Sequence, residues 1–159
     1  MIRPATQHDF EFIYELYMHP LINPWLLYDL KEAEQFQPIF DELLKKRVLY
    51  VFELNEVPVG MCKLVPQQHR NAHILYIGGI GIHPSFAGKG SGIRLMEEIK
   101  LLADAEGYKR LELSVATINE KAIHVYERAG FVQEGILRNY TYLKTEDRYI
   151  DEIMMSCLL

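Results

Sequence analysis

The chain has 159 residues, 49% of them hydrophobic, which suits one domain spanning residues 1–159 around a single core and leaves no room for a second. Its 17 basic and 22 acidic residues give a net charge of -5, and no basic run exceeds "KKR" at 45–47. That argues against a nucleic-acid backbone as partner and leans slightly towards cationic substrates.

In chain order, "MIRPATQHDF" lacks the apolar stretch of a secretory signal and no later run reaches membrane-spanning length, so a cytoplasmic protein with no membrane partner is expected. "IRPAT" reads as a first strand. Thr6 with Asp9 is a capping signal for a helix carrying Phe10, Ile13, Tyr14 and Tyr17 on one side and ending before Pro20. From Trp25 to Arg47 the pattern is helical, with Ile39, Leu43 and Leu44 as its apolar face, and Pro38 should split or kink it. "VLYVFEL" and "VPVGMCKLV" flank "NE" as an antiparallel hairpin. "HILYIGGIGI" is the next strand, and Gly78, Gly79 and Gly81 are odd inside one unless it bulges or a ligand approaches its backbone.

Leu95, Ile99 and Leu102 then recur at helical spacing until Gly107, and "KRLELSVA" is a strand, parallel to its predecessor if the helix is a crossover. Asn119 is an N-cap for a helix through Ala129, closed by Gly130. "ILRNYTYL" and "YIDEIMMSCLL" around "KTEDR" read as a closing hairpin. The sum is an α/β chain, a mixed sheet with helices on both faces. Cys62 and Cys157 make neither a disulfide framework nor a zinc spacing, and the six His fall singly, so no metal is expected.

The densest signal is "HPSFAGKGSGIRLMEEIKLL", where Gly88, Gly90 and Gly92 lead directly into a helix. A helix N-terminus exposes unsatisfied N–H groups and the positive end of the dipole, and glycines let an anion reach them. A P-loop would need glycine where His83 stands and Ser or Thr where Gly90 stands. A dinucleotide fingerprint would need its third glycine where Leu95 stands. A loop that merely turns from strand to helix accounts for one or two of the glycines.

"AGKGSG" at 87–92 resembles the signature of the GNAT superfamily of acyl-CoA-dependent N-acyltransferases, Gln or Arg, two residues, Gly, one residue, Gly or Ala, with Ala87 in place of Gln or Arg. "IGIHP" at 80–84 is similar to the family's strand end, and "NEKAIHVYERAGF" at 119–131 to its second motif. The resemblance follows the element order of nearly the whole chain and implies a mostly antiparallel central sheet with a cofactor cleft at splayed central strands. It also implies acetyl-CoA as co-substrate and a small-molecule amine as partner. The N–H groups of Gly88, Lys89, Gly90, Ser91, Gly92 and Ile93 would hold the pyrophosphate, with added charge from Lys89. The backbone of Ile80, Gly81 and Ile82 would pair with the pantetheine arm, while Asn119, Ala122 and Tyr126 share one helix face. "GILRNYTYLKTEDRYIDEIMM" looks like the branch containing phosphinothricin and spermidine acetyltransferase-like proteins; a homodimer is possible.

For the implied transfer, the Ile80 N–H is the candidate oxyanion donor and Tyr126 the donor to the leaving thiolate, a phenol of pKa about 10 beside a thiol of about 8.5. A carboxylate base often stands in this family where this chain has Ile77; His73 and Glu112, the latter sharing a strand face with Ser114, are the substitutes. Tyr14, Tyr17, Trp25, Tyr28, Tyr140, Tyr142 and Tyr149 could furnish an aromatic acceptor pocket, and Glu15, Asp29, Glu134 and Asp151 could meet an ammonium. Two other readings stand beside this one: an acyl-CoA-binding sensor without turnover, and a nucleotide-dependent transferase.

Overall fold

A computed structural model describes residues 1–159. Seven strands form one sheet: β1 (Ile2–Pro4), β2 (Leu49–Leu54), β3 (Val57–Pro66), β4 (Ile74–Ile82), β5 (Arg110–Ala116), β6 (Val132–Leu143) and β7 (Arg148–Leu158). Their spatial order is β1-β2-β3-β4-β5-β7-β6, and only β4 and β5 pair in parallel. The β2–β3 hairpin turns at Asn55 and Glu56, whose φ values of 52° and 63° are the left-handed pair that a two-residue turn between twisted strands requires.

Strand alternation divides the core between two helical layers, as the mixed-sheet reading expects. On one face α1 (Phe10–Met18) and α2 (Ala33–Lys45) bury Ile13, Leu16, Tyr17, Phe36, Phe40 and Leu43 with Val51 and Met61. On the other, α3 (Ser91–Ala105) and α4 (Glu120–Arg128) pack Leu95, Met96, Ile99, Ala103 and Tyr126 with Leu75, Ile77, Leu111 and Leu113. Each buried aliphatic side chain contributes about 1.5–3 kcal/mol.

Two local expectations are corrected. The helix expected from Trp25 begins only at Ala33, because Asn23 Nδ2 donates to the carbonyls of Tyr17 and Tyr28, at 2.7 and 2.9 Å, and holds the intervening chain as a loop. Pro38 lies inside α2 without ending it. It has no N–H to offer the Glu34 carbonyl, and both residues lie on the exposed side of the helix. The buried stripe of α2 is accordingly Phe36, Phe40 and Leu43, with Ile39 and Leu44 only partly covered.

The sheet opens at its centre. Strands β4 and β5 pair at Ile74↔Arg110, Leu75↔Leu111 and Tyr76↔Glu112, and beyond Tyr76 they separate. On the other side of β4 the register runs from Met61↔Gly81 to Lys63↔Gly78, leaving one extra residue in β4. Gly79 absorbs it with φ 54°, so the glycines mark a bulge.

Candidate active site

The splay opens a cavity of about 760 Å³. One wall is the bulged end of β4, from Ile77 to Ile82, continued by Ala87 and Gly88. Asn119, Ala122, Val125 and Tyr126 of α4 face it. On the side of the α1–α2 layer the same cavity is lined by Trp25 and Leu26, Lys63, Tyr76, Ser114, Tyr140, Thr141 and Glu152.

The glycine loop leaves its backbone open. Gly88 and Gly90 have φ 73° and 77°, and a Cβ built on either meets nothing within 4 Å, so the space against the backbone is open. Ser91 Oγ donates to the Phe86 carbonyl at 2.9 Å and ties the loop to the turn before it. Arg94 N–H bonds Gly90 at 3.0 Å, which leaves the first N–H groups of α3, those of Ser91, Gly92 and Ile93, without intrahelical acceptors. A Cβ on Gly92 would stand 3.4 Å from Val125, so its absence keeps α3 close to α4. Ala87, Gly88 and Gly92 line the cavity; Gly90, Ser91 and Ile93 belong to the same turn but not to its lining. Lys89 is exposed and donates to the Ser85 carbonyl at 3.0 Å, away from the cavity.

On α4, Asn119, Ala122 and Tyr126 share the cavity face, as their spacing requires. Asn119 Oδ1 accepts the Ala122 N–H at 3.3 Å and so serves as the helix cap. Tyr126 is 8% exposed, and its hydroxyl has no hydrogen bond to protein. Burial first, then the nearby Tyr76 phenol, push its pKa above the ordinary tyrosine value, so it is a proton donor throughout the neutral range. Ile80 lines the same cavity, and the bulge leaves both Gly79 and Ile80 without partners in the β3 register.

The structure does not bring the two expected bases to the cavity. His73 is exposed ahead of β4, where its carbonyl accepts the N–H groups of Lys109 and Arg110 at 2.9 and 3.3 Å. Glu112 is held by Arg110 at 2.8 Å, and the same guanidinium clasps Glu134. Arg110 and the Ser156 hydroxyl hold the Glu134 carboxyl down to about 2. The acceptor-side residues are rearranged as well. Glu15 faces His83 at 3.2 Å, Asp29 is exposed, and Asp151 accepts the Asn139 N–H at 2.8 Å. None of these four carboxylates lines the cavity. Of the aromatics expected at the acceptor pocket only Trp25 and Tyr140 do; Tyr14 donates to the Lys31 carbonyl, Tyr17 is fully buried, and Tyr142 packs on Tyr149.

Among the lining residues that went unread in the sequence are Tyr76, Glu152 and Lys63. Tyr76 reaches across the splay to Ser114 at 3.0 Å. Glu152, paired with Ala116 on β5, accepts from the Thr141 hydroxyl and is the cavity's one carboxylate. Lys63 is the lone charge inside the otherwise apolar "VPVGMCKLV", a position whose alternation was the available signal.

Comparison with known proteins agrees with this architecture. The chain is 27% identical over 145 residues to an uncharacterized N-acetyltransferase of Methanocaldococcus jannaschii, covering 87% of this chain and 63% of that one. It is 26% identical over 157 residues to the spermidine N(1)-acetyltransferase of Escherichia coli K12, covering 92% of this chain and 80% of that one. The fold superposes with a TM-score of 0.85 on the spermidine N-acetyltransferase of Vibrio cholerae in complex with CoA and spermine, at 22% identity, over 99% of this chain and 94% of that one. The model of the acetyltransferase (GNAT) family matches residues 10–131, from the first helix to the residue after the α4 closing glycine, and the chain belongs to that family.

Proposed function

We propose that the protein transfers an acetyl group from acetyl-CoA to the primary amine of a small molecule or an amino acid by direct attack. The observation that carries this reading is the coincidence of the β4–β5 splay, the Gly79 bulge and the unpartnered Tyr126 hydroxyl in one cavity. The residues fit the co-substrate: the open space over Gly88 and Gly90 and the free N–H groups at the start of α3 suit a pyrophosphate, and the bare edge of β4 suits an extended amide-bearing arm.

When bound, acetyl-CoA supplies an activated acetyl thioester. The N–H of Ile80, fixed by the bulge, donates to the acetyl oxygen as it gains charge. Tyr126 donates to the sulfur; as an acid weaker than a thiol it stabilises the thiolate by hydrogen bonding ahead of any full proton transfer. Glu152 collects the ammonium and accepts its proton, directly or through water, with Thr141 orienting the carboxylate. The test is incubation with acetyl-CoA and a mixed panel of primary amines, reading free thiol and the N-acetyl product by mass spectrometry. Amine-dependent product supports transfer. Tight acetyl-CoA binding with no product from any amine supports the sensor reading instead.

A further inference from the structure

On the α1–α2 side of the cavity, Lys63 is the one charged group that the transfer chemistry leaves without a task. It stands opposite Gly78 on β3, beside the bulge, and its Cε and Cγ lie 3.2 and 3.4 Å from the place a Cβ on Gly79 would occupy. Its ammonium rests 5.1 Å from the centroid of the Tyr28 ring. No carboxylate pairs with it. Burial, and then the positive charge of Lys46, pull its pKa below the ordinary lysine value. Two arginines of comparable burial are paired instead: Arg3 holds Asp9 and Arg110 holds Glu134. A half-desolvated lysine whose sole partner is an aromatic face is costly, and an incoming anion would replace the water it has lost.

We propose that Lys63 receives a carboxylate carried by the acceptor itself, so that the acceptor is an amino-acid-like zwitterion and not a polyamine. This rests on the acetyl-transfer reading of the same cavity. The Lys63 Cε passes 3.2 Å from the place of a Cβ on Gly79, which sets its ammonium beside the bulge where attack occurs, within reach of a carboxylate one or two carbons from the attacking nitrogen. Glu152 stands on the opposite side of the splay and draws the ammonium, so the two side chains fix a direction for a molecule with one charge of each sign. A second ammonium at the carboxylate's place would meet Lys63 and be repelled. The cavity's other cation, Lys121, lies in the first turn of α4 on the cofactor wall and does not compete for this role.

The experiment uses L-α-amino acids, the matching α-amino amides and 1,4-diaminobutane as probes. Binding to the CoA-saturated protein is measured by calorimetry, and acetylation by kcat and KM, in wild type, K63M and K63R. The expected result is at least one amino acid preferred over its amide by 10-fold or more in kcat/KM. K63M should reduce that ratio to near one through KM, and K63R should retain most of it. Thermal unfolding of both variants confirms that they fold. The proposal is overturned if amides or the diamine match the acids in wild type, or if K63M leaves the ratio intact. It is overturned equally if K63M lowers kcat on the amides, which would make Lys63 a proton-transfer group. If no probe is acetylated, the transfer reading falls, while the calorimetric acid-to-amide ratio and its loss in K63M still decide the role of Lys63.

Discussion

The Tyr17 hydroxyl lies 2.7 Å from the place that a Cβ on Gly79 would occupy, so α1 and the β4 bulge are built against each other. That hydroxyl is buried without a hydrogen-bond partner. Tyr17→Phe should therefore leave stability unchanged or raise it by about 1 kcal/mol, roughly 2–4 °C in Tm. Gly79→Ala must adopt φ 54° and displace the hydroxyl, and should cost about 3 kcal/mol. The double variant should lose less than the sum of the two, and strict additivity in urea unfolding would contradict the contact.

Gly90 tests the anion cradle. Its φ of 77° strains any L side chain by about 1–2 kcal/mol, and a side chain there would enter the open space at the start of α3. Gly90→Val should remain folded and lose acetyl-CoA affinity by about 10-fold or more. Unchanged affinity by calorimetry in a folded variant would remove the loop from cofactor binding.

Tyr126 separates chemistry from binding. The Tyr126→Phe variant should lower kcat by about 100-fold while CoA affinity changes little, because the hydroxyl makes no protein bond that holds the fold. Equal losses in both would make the phenol a binding group.

Asp9 contributes to acid stability. Burial alone would raise its carboxyl, but Arg3, at 2.8 and 2.9 Å, and the Thr6 N–H and hydroxyl, at 2.7 and 3.0 Å, hold it below the ordinary value. The folded pKa is thus lower than the unfolded one, about 3.9. The stabilisation is fully present above that unfolded value and disappears as pH falls through the folded one. Asp9→Asn should cost about 2 kcal/mol at neutral pH and flatten the acid limb of the stability profile. A limb as steep as wild type would assign acid sensitivity to other groups.

What the sequence disclosed follows from how local each signal is. The glycine loop, the Asn55–Glu56 turn, the Asn119 cap and the α4 cavity face depend on residues within a few positions of one another, and each stands where its pattern placed it. Glu152 could not be read this way. It reaches the cavity because the closing hairpin returns β7 between β5 and β6, whereas Glu112 is removed from it by Arg110, whose other partner is Glu134. Which of two strand carboxylates lines the cavity is a property of sheet order and distant ion pairing. The loop before α2 escaped for a similar reason: the Asn23 side chain bonds the Tyr28 carbonyl, and the apolar pattern around it is helical.

The most direct test of the cleft assignment is thermal unfolding with acetyl-CoA, NAD and ATP in parallel. At about 100 times Kd a ligand stabilises by about 2.7 kcal/mol, a shift of roughly 5–10 °C. The shift should occur with acetyl-CoA and be absent with NAD and ATP. An equal shift with ATP, or none with acetyl-CoA, would contradict the glycine loop and the splayed strands as an acyl-CoA site.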